Sequence, residues 1–113
     1  RGFVEYPGGV LRMKKIINKK IYDTDTAKEV ANYSNGYSWG NYYHVHETLY
    51  RKKTGEFFLH GCGGAMTEYS NFKYGCWSGG ERIVPLTEQE TKVWVTAFCD
   101  ADTYITLFGE VEE

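Results

Sequence analysis

From residue 42 to residue 52 the chain alternates well enough to predict a long strand, its clearest periodic signal. Tyr43, Val45, Glu47, Leu49 and Arg51 fall on one side of an extended chain. Tyr42, His44, His46, Thr48, Tyr50 and Lys52 fall on the other. Lys53-Thr54-Gly55 supplies a turn whose glycine suits a positive φ, and residues 56–60 return as the partner strand. Upstream, residues 14–22 are short, Ile-rich and interrupted at Asn18-Lys19, which predicts one bent strand. Thr26 and Glu29 have capping-box spacing, which predicts a short helix over residues 27–31, ending before the Asn35-Gly36 turn.

Downstream, residues 61–80 read as a long irregular segment rich in Gly, Tyr and Trp, whose glycines turn formation is enough to explain. Residues 81–85 predict a last strand stopped by Pro85. Thr87-Glu88-Gln89-Glu90 is a second capping box and opens a helix to about Cys99, with Val93, Trp94, Ala97 and Phe98 on its apolar face. Asp100 caps a final helix over residues 101–108, closed by Gly109, and an acidic tail completes the chain. The expected order is β-α-β-β-β-α-α, a small α+β domain with helices packed on one face of an antiparallel sheet.

At 113 residues the chain has room for one hydrophobic core. Its 13 Lys+Arg against 15 Asp+Glu give a formal −2, which speaks against both a general electrostatic DNA binder and a highly acidic DNA mimic. Three widely spaced cysteines, Cys62, Cys76 and Cys99, imply no disulfide framework and suggest a reduced, cytoplasmic setting. No apolar run approaches the length of a membrane span. Residues 1–12 differ in character from the rest of the chain. Gly8-Gly9 can be encoded by a purine-rich ribosome-binding sequence, and three codons later Met13-Lys14-Lys15-Ile16-Ile17 looks like a natural bacterial start. The expectation is a translated leader over 1–12 and a single domain over 13–113; a genuine N-terminal arm is the alternative.

Residues 32–43 are drawn wholly from Tyr, Trp, Ser, Gly and Asn. Tyr and Trp offer large, stiff, amphipathic contact area; Ser, Gly and Asn offer adaptable hydrogen bonds and tight turns. Tyr33, Tyr37, Trp39, Tyr42 and Tyr43 are therefore candidate partner-binding anchors, with Tyr69, Tyr74 and Trp77 from the second irregular segment. The plain alternative is a loop whose tyrosines lie back over the sheet. Glu88 and Glu90, with the tail, could face a basic surface on the partner.

Candidates for chemistry are weaker. His44 and His46 share a strand face, and His60 and Cys62 end the partner strand, so a metal site across the hairpin is conceivable; CxxC and HExxH spacings are absent, and no metal or other cofactor is expected. His46, Glu47, Tyr50 and Arg51 contain the ingredients of a metal-independent nuclease, but strand alternation puts Glu47 and Arg51 on the face opposite His46 and Tyr50. No catalytic residue is assigned. Lys19, Lys20, Arg51, Lys52 and Lys53 could meet nucleic-acid phosphates, or could simply keep strand ends soluble.

The motifs Met13-Lys-Lys-Ile-Ile-Asn, Tyr22-Asp-Thr-Asp-Thr-Ala-Lys-Glu-Val-Ala, Glu47-Thr-Leu-Tyr-Arg-Lys-Lys-Thr-Gly-Glu-Phe-Phe-Leu-His-Gly and Gly80-Glu-Arg-Ile-Val-Pro-Leu-Thr together resemble a group of short proteins carried by phages, plasmids and conjugative elements of Gram-positive bacteria. The resemblance begins at Met13. Some proteins of that setting are anti-CRISPR inhibitors of type II effector nucleases. The resemblance therefore implies a non-enzymatic inhibitor in the bacterial host cytoplasm that binds such an effector or its guide RNA, blocking guide loading or DNA targeting. A nucleic-acid-binding accessory protein or toxin-like ribonuclease of a mobile element stands as the alternative.

Overall fold

The computed structural model describes residues 13–109; the leader expected over 1–12 and the acidic tail lie outside the described residues. Eight strands precede two helices: β1 (Lys14–Ile17), β2 (Lys20–Asp23), β3 (Lys28–Ser34), β4 (Val45–Arg51), β5 (Phe57–Gly63), β6 (Asn71–Lys73), β7 (Cys76–Ser78), β8 (Gly80–Leu86), α1 (Glu88–Phe98) and α2 (Ala101–Phe108). The class is α+β as expected, but the order of elements is not. Among the described residues no helix is long and apolar enough to cross a membrane.

The centre is an antiparallel sheet in the order β3-β4-β5-β8. The alternating segment forms its middle pair, with Thr48 opposite His60, Leu49 opposite Leu59 and Tyr50 opposite Phe58. Alternation sends Leu49, Phe57 and Leu59 to one face, where they bury with Trp94 and Val95 of α1 and are flanked by Tyr104, Leu107 and Phe108 of α2. The other parity sends Tyr50, Phe58 and Ile83 to the opposite face, where Tyr22 joins them. Tyr50 stacks on Phe58 with ring centroids 5.2 Å apart, and Tyr22 meets Phe58 edge-on at 5.4 Å. The helices thus occupy one face, as expected, and the β1–β2 hairpin covers part of the other.

Three expectations are corrected. Residues 14–22 are two strands rather than one bent strand, because Asn18 (φ 52°) and Lys19 (φ 67°) form a two-residue left-handed turn that matches hairpin twist. The helix expected over 27–31 is the strand β3: Val30, Ala31 and Tyr33 pack toward the helices while the backbone pairs with β4. Five residues are too few to nucleate a helix against that pairing. Thr24 to Thr26 form a turn instead, in which Asp23 Oδ1 accepts from the Asp25 N–H at 2.8 Å. The irregular 61–80 segment begins inside β5 and contains the β6–β7 hairpin, whose turn places Tyr74 (φ 53°) and Gly75 (φ 77°) in the left-handed region.

Both helix starts obey the caps read from the sequence. The Glu90 N–H donates to Thr87 Oγ1 at 3.1 Å and the Thr87 N–H donates to Glu90 Oε1 at 2.8 Å. Asp100 Oδ1 accepts from the Thr103 hydroxyl at 2.7 Å and from the Thr103 N–H at 2.9 Å, and these hydrogen bonds, the hydroxyl's first, hold the Asp100 carboxyl below its ordinary range. The buried stripe of α1 is Thr91, Trp94 and Val95; of the other residues expected there, Val93 and Ala97 face outward and Phe98 is 41% exposed. Edges of the sheet are irregular. β8 continues through Pro85 to Leu86, tolerating a missing N–H because it is an edge strand, and β3 carries a bulge between Glu29 and Ala31.

Candidate functional site

One end of the sheet gathers the Tyr/Trp segments. Val45 pairs with Gly63 and Gly63 with Gly80, so the β3–β4 connection, the β5–β6 connection and the β6–β7 hairpin all emerge there. The connections are joined: the Met66 N–H donates to the Tyr42 carbonyl at 2.9 Å and the Gly64 N–H to the His44 carbonyl at 3.0 Å. Asn35 organises the first loop, its Nδ2 donating to the Tyr43 carbonyl and its Oδ1 accepting from the Val45 N–H. Tyr37, Tyr42, Tyr43, Met66, Phe72, Tyr74 and Trp77 are all more than half exposed, with Tyr74 at 100% and Trp77 at 62%. Phe72 and Trp77 face each other across the hairpin at 5.0 Å. Such a concentration of exposed rings and thioether matches the composition of interface cores.

The other expected anchors have different placements. Tyr33 stacks on Phe98 at 4.0 Å and braces β3 against α1. Trp39 is partly buried, lying over His44 at 4.8 Å and His46 at 5.6 Å. Tyr69 is buried at 3% exposure. Its hydroxyl donates to Glu47 Oε2, and the other Glu47 oxygen accepts from Trp94 Nε1 at 2.9 Å. Burial first, then the Glu47 contact, push the Tyr69 phenol far above its ordinary range. Glu88 and Glu90 stand at the start of α1, beyond the end of the sheet opposite the aromatic loops. There Glu88 pairs with Lys92 at 3.3 Å and Glu90 completes the capping box.

Gly61 explains how Tyr69 reaches Glu47, a role that sequence reasoning misses. Glu47 and Gly61 are paired on β4 and β5, and the Tyr69 ring lies across that pair. A Cβ on Gly61 would sit 2.1 Å from the ring carbon bearing the hydroxyl. Gly63 has the same relation to Thr67, whose Oγ1 would be 2.3 Å from an added Cβ. These glycines lie in a fully buried strand, so the expected turn role is replaced by a close-approach role. Glycine inside a strand pattern is the one signal that points to it.

The candidate nuclease set is divided by the sheet. Glu47 belongs to the helix face and is committed to Tyr69 and Trp94. Arg51 lies over Phe57 at 5.0 Å on that side, whereas Tyr50 is 2% exposed in the opposite cluster. Burial first, then the charge of Glu29, push the Tyr50 phenol up to about 12. On the non-helix face His46 is opposite Cys62, His60 lies next on β5, and His60 Nε2 is 2.9 Å from Glu81 Oε1. Burial pushes the Cys62 thiol up to about 11, away from the reactive thiolate. No group of three or more His, Cys, Asp or Glu side chains among the described residues is placed to hold a metal ion. All three cysteines are free thiols, with Cys76 exposed on the aromatic hairpin.

The basic residues collect near the far end, around the β4–β5 turn. Glu56 binds both Lys20 and Lys52, tying the β1–β2 hairpin to that turn. Hydrogen bonds from Lys20 and then Lys52 hold the Glu56 carboxyl down to about 2. Lys52 also lies over the Tyr22 ring at 4.2 Å. Lys20 and Lys52 thus have structural work, while Lys19, Arg51 and Lys53 surround them on exposed positions. Comparison with known proteins finds no match: no family model, no curated protein and no solved structure matches this chain.

Proposed function

We propose that this chain is a non-enzymatic binding protein that inhibits a type II CRISPR effector nuclease, using the aromatic end of its sheet as the contact surface. The observation that carries the binding reading is the cluster of Tyr37, Tyr42, Tyr43, Met66, Phe72, Tyr74 and Trp77, all well exposed at one end of the sheet, on the hydrogen-bonded β3–β4 and β5–β6 connections and on the β6–β7 hairpin. Leaving that many rings in water forgoes burial that a partner can recover, and rigid aromatic anchors dominate binding energy at such surfaces. The effector as partner rests on the sequence motifs that resemble mobile-element proteins. Such effectors carry guide-binding and DNA-binding channels that a small protein can occlude.

The test is DNA cleavage by a type II effector, with this protein added before or after the guide RNA. Inhibition only when it is added first assigns the block to guide loading; inhibition in both orders assigns it to target binding or cleavage. Cleavage unaffected in both orders, across several effectors, refutes the inhibitor reading for those enzymes. Binding of guide RNA alone that collapses with rising salt would favour the nucleic-acid accessory reading through Lys19, Arg51 and Lys53.

A further inference from the structure

The groove beside the aromatic end contains a polar group that the binding surface does not explain. It has a volume of about 780 Å³ and is lined by Met13, Trp39, His44, Cys62, Asn71 and Glu81, among others. His44 Nδ1 lies 3.0 Å from the Asn41 carbonyl, an acceptor only, so Nδ1 carries the hydrogen and Nε2 is left with its lone pair. That Nε2 is buried and has no hydrogen-bond partner, in a side chain 9% exposed. Trp39 lies against the same ring and reaches His46 as well.

We propose that the loop carrying Tyr37, Trp39, Tyr42 and Tyr43 is a proton-sensitive element, held to the sheet while His44 and His46 are neutral and released when they are protonated. This rests on the reading of that loop as contact surface, since release would rearrange its anchors. A proton on His44 Nε2 creates a cationic N–H where no acceptor waits, and burying such a group unpaired is costly. Neighbouring carboxylates do not outweigh it: at His46 burial prevails over the charges of Glu29 and Glu47, which favour the proton. On β5, His60 and Cys62 face His46; on β8, Glu81 is already bound by His60; on β3, Glu29 accepts from Asn32. On β1, Lys15 lines the groove and adds positive charge, while Glu47 lies on the other face of the sheet with both oxygens occupied. Burial first, then the charge of His60, hold His46 below the ordinary histidine range. The loop has the means to move: Gly36 and Gly40 flank Trp39, each at φ +91° with open space about it.

The test is fluorine NMR of the whole chain labelled with fluorotryptophan, titrated from about pH 8 to about pH 5. Trp39, Trp77 and Trp94 are assigned by single Trp→Phe variants. The expected result is a Trp39 resonance that shifts with a midpoint below roughly 6.5 while the core Trp94 stays fixed. The shift is expected to vanish in His44→Gln/His46→Gln. A histidine proton titration of the unmodified sequence gives the same answer without a variant: His46, whose ring Trp39 also meets, should share one midpoint with Trp39. A Trp39 signal unchanged across the range overturns the proposal, as does one that moves together with Trp94 or persists in a folded double variant. No effector is present in these experiments, so a failed cleavage assay and a failed titration are separate results.

Discussion

Glu47 is the only buried carboxylate among the described residues, and its removal should be the most damaging single polar change in the sheet. Its two oxygens satisfy two buried donors, the Tyr69 hydroxyl and Trp94 Nε1. Glu47→Ala strands both. Each stranded donor costs about 1–3 kcal/mol, so the variant is expected to lose about 4 kcal/mol. With an m-value of roughly 1.5 kcal/mol/M, the urea midpoint should fall by roughly 2.5 M. Glu47→Gln is the control that isolates hydrogen bonding from shape. Its oxygen can still accept from Trp94, and its amide can donate to the Tyr69 oxygen, which accepts as well as donates. Only charge assistance is lost, about 1 kcal/mol. Equilibrium urea unfolding monitored by circular dichroism reads both. A Glu47→Ala variant within about 1 kcal/mol of the parent would refute this account of the site, as would a Gln variant that costs as much as Ala.

Other contacts carry their own expected outcomes. Gly61→Ala should expel the Tyr69 ring and destabilise by about 2–4 kcal/mol, and a Tyr69→Phe change in that background should then cost almost nothing; urea midpoints of the two variants check this. Thr87→Ala breaks the α1 capping box and should cost about 1 kcal/mol in thermal unfolding. Glu56 is held down to about 2, below its unfolded value, so the stability it contributes is present above the unfolded carboxyl range and is lost as pH falls toward its folded value. Carboxyl NMR titration should show Glu56 protonating well below the ordinary glutamate range, and Lys20→Ala should move it back up. Tyr74→Ala and Trp77→Ala should leave the unfolding free energy within about 0.5 kcal/mol of the parent, because both side chains are exposed. If the aromatic end is the contact surface, the same changes should weaken effector inhibition at least about tenfold.

The chain announces its structure where the determinants are local. Thr87 with Glu90, and Asp100 with Gly109, are self-contained capping signals: the first pair starts α1, and the second starts and ends α2. The alternation of residues 45–51 likewise fixes which side chains face the helices. β3 is misleading because Thr26 and Glu29 imitate a cap, and its extended state is decided by β4, a partner more than ten residues away. Val93 and Val95 are equally apolar, and only the position of the sheet selects Val95 for burial. For the surface, composition identifies the loops, and Tyr37, Tyr42, Tyr43, Tyr74 and Trp77 are exposed at one end. Tyr69 has the same chemistry as those residues, yet its position depends on a missing Cβ on another strand.

The two irregular sheet edges bear on how such a surface can exist in a crowded cell. An exposed aromatic cluster beside a flat, open strand would invite copies of the chain to zip together through their backbones. Here β8 interrupts its outer row of donors with Pro85, and the bulge in β3 twists its row out of line. Adhesive side chains and backbone pairing are thereby kept on separate parts of the molecule. The domain can keep rings in the open while denying its own copies a template for fibre growth.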